Sequence, residues 1–327
     1  MKNSTTLALS RGLVVSSLAV GLLTCNLALA GEKVERLLDT SQSPKLDIEH
    51  VNGKAAIRGW DKSQVQVSGE LGDNTEEFIF EQRGNVVIIH VEVEHKGNKW
   101  WNNNDNGDDL IIYVPKGSDV NYTAVSADVE VNNITNSANV EVVNGDVVLT
   151  NVSERTKVES VNGDITIDNV TGKLHVETVN GDVEASHTGD QAVTFESVNG
   201  DMDVSTTSPA VSVESVNGGI ALALQKIDSL DATTVNGQME VSLFLNENGS
   251  VKASSVGGAM EFTFQPNVSA QFDIETFAGG HIINEITNDE VKKPKYGPSR
   301  SLRFIHNNGN ANVDLSTVNG KILIKEN

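Results

Sequence analysis
The sequence is poor in cysteine, proline, aromatic rings and positive charge. Its 327 residues include one Cys, six Pro, three Trp and three Tyr. One Cys cannot close an internal disulfide or build a cysteine-based metal framework. Lys and Arg number 24 against 45 Asp and Glu, for a formal charge of −21. That balance argues against nucleic acid and against an anionic membrane surface as partner. Beyond residue 30 there is no uncharged apolar run of membrane length, so the mature chain is expected to have no transmembrane segment. No glycine-rich loop links a strand to a helix, which leaves no nucleotide site and points to no cofactor. Ample Val and Ile with 21% charged residues argue against disorder.

The N-terminus reads as an export signal. Lys2 and Arg11 precede an uncharged stretch over residues 12–30 that ends Leu27-Ala28-Leu29-Ala30. A basic start, an apolar centre and a small-x-small end define a signal peptide over residues 1–30, with Gly31 first in the mature chain. Removal of that segment leaves 22 basic against 45 acidic side chains. It also removes the only Cys, Cys25. Leu23-Thr24-Cys25 resembles a lipoprotein processing box only in part, because Thr is unusual before the Cys, so a lipid anchor at Cys25 is the lesser alternative. The expected location is the periplasm or the cell surface.

What the sequence has in abundance is a repeat. Val-Asn-Gly recurs with its glycines at Gly53, Gly145, Gly163, Gly181, Gly200, Gly218, Gly237 and Gly320. Gly258 and Gly279 close degenerate copies. From Gly145 to Gly237 the steps are 18, 18, 19, 18 and 19 residues, then 21 and 21, and finally 41 from Gly279 to Gly320. The last gap has room for two units and an insertion. Apolar residues alternate on both sides of each turn, as in Val158 before and Ile165 and Ile167 after. Each unit therefore predicts two short strands with period-two burial. One strand pair cannot bury its own apolar face, so the units must stack. The expected fold is all-β, a single-stranded β-solenoid of about 18–21 residues per turn. At about 4.8 Å per rung, nine or ten rungs make a rod roughly 45 Å long. An elongated antiparallel β-sandwich is the alternative, since Asn-Gly also suits hairpins.

The repeat sets side chains in rows. Asn144, Asn162, Asn180, Asn199, Asn217 and Asn236, with Asn319 in the closing copy, are expected at one corner, where Asn tolerates the left-handed conformation and its amide bonds to the next copy. The neighbouring glycines supply positive φ. Ser160, Thr178, Ser197, Ser215, Thr234, Ser255 and Thr276 form a row just inside. Asp146, Asp164, Asp182 and Asp201 follow the turn, and Glu141, Glu159, Glu177, Glu196 and Glu214 precede it. Stacked like charges repel, and exposure to water and salt is the expected relief. Without a calcium-loop motif the rows predict no metal. The seven His are scattered, with no zinc-spaced pair, and no catalytic residue is identified.

The ends depart from the repeat. Residues 31–120 predict longer, less regular strands, a lead-in or cap to the repeat region 121–327. Trp100 and Trp101 lie in an Asn-rich loop and are candidate contacts for a partner. Residues 287–300 interrupt the pattern and carry Lys292, Lys293, Lys295 and Arg300, a small basic patch in an acidic chain.

A turn at Gly53, then Gly59-Trp60-Asp61, the Val-Asn-Gly-Asp series and a closing Thr317-Val318-Asn319-Gly320 together resemble the bacterial DUF4097 family of β-strand-repeat, adhesin-type proteins. The resemblance covers most of the mature chain. It implies a β-solenoid-like fold at or beyond the cell envelope and transfers no catalytic residues. The resulting expectation is a non-enzymatic envelope or surface protein that binds an envelope protein or glycan. The competing readings are a polysaccharide-active β-helix enzyme, which would need an aromatic-lined groove beside paired acids, and a purely structural rod. No motif specifies an oligomeric state.

Overall fold
The computed structural model describes residues 31–93 and 107–327. Residues 1–30 with Cys25, where an export signal is expected, and the segment bearing Trp100 and Trp101 lie outside the described residues. Within them the chain forms 24 strands and no α-helix.

Alternation builds each strand. In Arg155–Asn162, Thr156, Val158 and Ser160 point inward, while Lys157 and Glu159 face out. Period-two burial of this kind needs a partner on the apolar side, and the next unit supplies it. Arg155–Asn162 pairs in parallel with Lys173–Asn180, setting Val158 beside Val176 and Asn162 beside Asn180. The same register carries on to Val193–Asn199 and to Ala210–Asn217. Strands after the corner do likewise: Ile165–Thr171 lies parallel to both Val147–Val152 and Val183–Thr188. Two rows of strands result, one on each side of the Asn-Gly corner. Long strands such as Lys45–Trp60 and Asp119–Ile134 turn the corner and belong to both. Inward residues of the two rows form one continuous core from Val34 to Ile324.

Antiparallel pairing is confined to the two ends. Near the N-terminus it joins Thr75–Arg83 to Val86–Val93, and Gln64–Glu70 to both Lys33–Asp39 and Asp108–Pro115. Near the C-terminus it joins Ala270–Thr276 to Arg300–His306. The repeats themselves are not hairpins, so an antiparallel meander does not describe them. The fold is all-β, with repeated units in a mixed sheet.

The corners explain the recurring glycine. Gly163 has φ of 136°, and a Cβ there would stand 2.1 Å from the carbonyl oxygen of Gly145 one unit below. Any side chain would force the units apart. Two expectations need correction. Gly237 and Gly320 do not take positive φ, yet a Cβ at either would fall 1.9 or 2.0 Å from a backbone oxygen. Close approach, rather than handedness, demands glycine at those two. The corner asparagines are not left-handed either. Among the described residues other than glycine, the left-handed ones are Asn133, Asn151, Asn169, Asn267, Asn307 and Glu154.

Sequence order and spatial order part at the C-terminus. The final copy, Ala311–Asn319, lies parallel between Met239–Gly257 and Ala270–Thr276. Lys321–Glu326 is likewise held between Met260–Phe264 and His281–Asn284. The chain runs past the place, returns through antiparallel Arg300–His306, and then fills the gap. The 41-residue step thus holds a return strand and not a second parallel unit.

Candidate functional site
The outer surface of the repeat is organised by three ladders. Asn162 Nδ2 donates to Asn144 Oδ1 at 2.9 Å, and the same bond recurs from Asn180 to Asn162, Asn199 to Asn180 and Asn217 to Asn199, each at 2.9 Å. Asn236 extends the series to Asn217 at 3.1 Å. A second, shorter asparagine ladder runs through the left-handed turns, from Asn169 to Asn151 and from Asn151 to Asn133. The aspartates form the third. Asp164, Asp182 and Asp201 each donate a backbone N–H to the carboxylate of the preceding Asp, at 3.0, 2.9 and 2.8 Å. Gly219 N–H caps the series on Asp201 at 2.6 Å. Carboxylates that accept backbone N–H groups are held by charge-assisted bonds. This, and not solvent screening alone, offsets the repulsion. The ladder stops at Gly219 because glycine offers no next acceptor.

Beside the corner runs a groove of about 600 Å³, bounded by the glutamate row and a valine row. Val143, Val161, Val179, Val198 and Val216 are 39–43% exposed, one per unit. Glu159, Glu177, Glu196 and Glu214 align in register on the same outward face, two residues before the valines. Two residues before each Glu sits a variable side chain. Asn139 donates to Glu141, Lys157 pairs with Glu159, and His175 with Glu177. The hydrogen bond to Glu159, more than any other cause, raises the Lys157 pKa and keeps it charged. Thr194 and Ser212 take that place before Glu196 and Glu214. The negative field along the groove is therefore least compensated at those two.

The Ser/Thr row lies inside the corner and is buried, from Ser160 to Thr317. The hydroxyls of Ser160, Thr178, Ser197, Ser215, Thr234, Ser255 and Thr317 have no protein hydrogen-bond partner. Burial, and not a hydrogen bond, is what this position has in common, since Val142 and Ala124 hold it in earlier units.

The first two units replace this row with a network that sequence reading missed. His50 occupies the Ser position and is buried with Tyr122 and Asp108. Its Nε2 lies 3.1 Å from Asp108 Oδ2 and its Nδ1 3.0 Å from the Tyr122 hydroxyl. Asp108 Oδ1 also accepts from Gly72 N–H at 2.6 Å and from the Thr75 hydroxyl at 2.9 Å. Burial first, and then the charges of Asp108 and Asp128, push the Tyr122 phenol above its ordinary range. With Asp108 ionised, His50 donates to it and accepts from Tyr122. The trio is buried and ties three strands together. Its signal was present: His50-Val51-Asn52-Gly53 aligns with Ser160-Val161-Asn162-Gly163.

The basic patch is only partly assembled. Lys292, Lys293 and Arg300 line a hollow of about 340 Å³ with Glu275, Thr276 and Phe277. Lys295 points elsewhere, its ammonium 5.4 Å above the Tyr296 ring. Two clusters of mixed ligating groups also occur on the outer surface: Asp47, Glu49 and His90, and His175, Glu177 and Glu196. Neither was legible as a spaced motif.

An all-β chain of stacked corner repeats is a repeat protein, defined by its surface rows. This chain belongs to the Toastrack DUF4097 family, whose model matches residues 43–325. No curated protein matches it. Among solved structures, a "putative lipid binding protein" from Parabacteroides distasonis is 12% identical, with a TM-score of 0.47 over 91% of this chain and 99% of that one. A "putative adhesin" from Bacteroides fragilis is 13% identical, with a TM-score of 0.34 over 90% of this chain and 97% of that one. Among the described residues no helix is long and apolar enough to cross a membrane.

Proposed function
We propose that this is a non-enzymatic, exported envelope or surface protein that binds a partner along its ridged face in the manner of an adhesin. The observation that carries the reading is the groove between the glutamate and valine rows. An apolar ridge in register with carboxylates suits a partner that presents apolar groups beside cations. A protein segment meets that requirement better than a neutral glycan. The family membership and the export segment expected at residues 1–30 are consistent with the periplasm or the outer surface.

The parallel registers further support a single-stranded β-solenoid over residues 121–327, with residues 31–120 as its lead-in and 287–300 as an insertion. The Trp100 and Trp101 loop, and the patch of Lys292, Lys293, Lys295 and Arg300, are secondary contact candidates.

The test is capture from solubilised envelope fractions on the immobilised chain. The triple variant Val161→Ser/Val179→Ser/Val198→Ser is compared with Trp100→Ala/Trp101→Ala and wild type. Loss of the captured protein with the valine variant, and its release by high salt, is the expected result. Capture that is unchanged by the valine substitutions and lost with the tryptophans moves binding to the loop and overturns the groove reading.

A further inference from the structure
We infer that Asp47, Glu49 and His90 form a site for a borderline divalent metal ion of the zinc type, with one coordination position open to solvent. Asp47 and Glu49 are two apart on Lys45–Trp60, so both face outward. Parallel pairing sets His90 of the strand Val86–Val93 directly beside Glu49. His90 Nε2 lies 3.7 Å from Asp47 Oδ2 and 3.9 Å from Glu49 Oε1. Those separations are too long for hydrogen bonds. Two ligand atoms that each stand about 2.1 Å from a shared ion in tetrahedral geometry are about 3.4 Å apart, so a contraction of a few tenths of an ångström closes the set. The Nε2 atom is screened from solvent and has no hydrogen-bond partner. A buried imidazole nitrogen left unpaired between two carboxylates is costly unless something fills the space. A cation answers all three groups at once.

The donor set selects the ion. Imidazole with two carboxylates suits zinc and its transition-metal neighbours, whereas calcium takes six to eight oxygens. Three protein ligands leave room for water or for an exogenous donor. The site is borne by paired strands rather than a loop, so the ligands are already placed. The second cluster differs in this respect, because His175 Nε2 is already bonded to Glu177. That contact must break before a metal enters, so the second cluster serves as an internal comparison. The inference is independent of the groove, since none of the three residues lines it.

The experiment is calorimetric titration of the full, chelator-stripped chain with zinc chloride at neutral pH, repeated with calcium chloride. Wild type and the His175→Ala variant are expected to bind one zinc ion per chain with the same Kd. His90→Ala and Glu49→Gln are each expected to weaken that event at least tenfold. Calcium is expected not to compete. Circular dichroism confirms that each variant keeps its β signature, and cobalt substitution reports the coordination geometry by visible ligand-field bands that His90→Ala abolishes. Zinc binding that persists in His90→Ala, or that is absent from wild type, overturns the assignment. Loss of binding only in His175→Ala transfers the site to the second cluster and overturns it equally.

Discussion
Asp182 offers a way to separate the two opposing effects in the aspartate ladder. Its carboxylate accepts the Asp201 N–H at 2.8 Å, and it stacks between two like charges, Asp164 and Asp201. At a rung spacing of about 4.8 Å, each like-charge neighbour costs about 0.9 kcal/mol in water, and about half that after screening in physiological salt. Two neighbours thus cost about 1 kcal/mol. The exposed charge-assisted hydrogen bond returns about 1–1.5 kcal/mol. Asp182→Asn keeps an acceptor and removes the charge, while Asp182→Ala removes both. A neutral acceptor bonds about half as strongly, so at 0.15 M salt Asn is expected to stabilise the chain by about 0.4 kcal/mol, or about 1 °C in Tm, and Ala to leave it near wild type. At 1 M salt the Debye length falls to about 3 Å and the gain of Asn over wild type disappears. The Asn–Ala gap persists, because it measures the hydrogen bond. Thermal melts of the three proteins at 0.15 and 1 M NaCl decide the matter. Coincident Asn and Ala variants would refute the ladder's acceptor role. An Asn variant less stable than wild type would refute the repulsion.

Removing an unpaired buried hydroxyl should help: Thr178→Val, which keeps the shape, is expected to raise stability by about 1 kcal/mol in thermal melts, and a loss of similar size would contradict the unpartnered geometry. Asp108→Ala strands His50 in the buried network and is expected to cost about 3–5 kcal/mol, while Tyr122→Phe costs about 1 kcal/mol, both read from denaturation midpoints. His187 gives a pH signature. Its Nε2–H donates to Gly172 O and its Nδ1 accepts from Thr206, and burial lowers its pKa against a smaller opposing effect of the Gly172 carbonyl. The unfolded chain then binds the proton first as pH falls below about 6.5. The stability that neutral His187 confers is complete above that pH and is lost as pH drops toward the lowered folded value. The Tm difference between wild type and His187→Gln should therefore narrow from pH 7.5 to pH 5; a difference independent of pH would contradict it.

The repeat was legible because its corner has one chemical solution. Gly163 must be glycine for lack of space, and Asn162 carries an amide that both donates and accepts, so the pair marks most rungs in the sequence, while Ser126-Ala127 and Gly257-Gly258 stand in its place at two others. The aspartate row was equally visible, but its meaning was not. Like charges at a fixed interval look repulsive until the backbone N–H of Asp182 is seen to point at Asp164. The position of the final copy was hidden for a different reason. Val318-Asn319-Gly320 fits any rung equally well, so the sequence carries no sign that it sits beside Gly257 rather than beyond Thr276. Contacts between distant residues were least readable. His50 reaches Asp108 and Tyr122 across 58 and 72 positions, and Glu49 meets His90 only through strand pairing. The valine ridge was overlooked because each Val belongs to the turn triplet and reads as a corner residue; only its exposure reveals a surface.

Successive units stack in parallel register, which places Glu141 and Glu214 four rungs apart on one row. Spin labels at Glu141→Cys and Glu214→Cys, in a chain with Cys25 removed, measure this directly by double electron–electron resonance. Parallel stacking gives a distance distribution centred near about 19 Å, four steps of about 4.8 Å. A sequential antiparallel arrangement would interleave the intervening strands and centre it near about 38 Å, and that result would contradict the stacked register and the surface rows that depend on it.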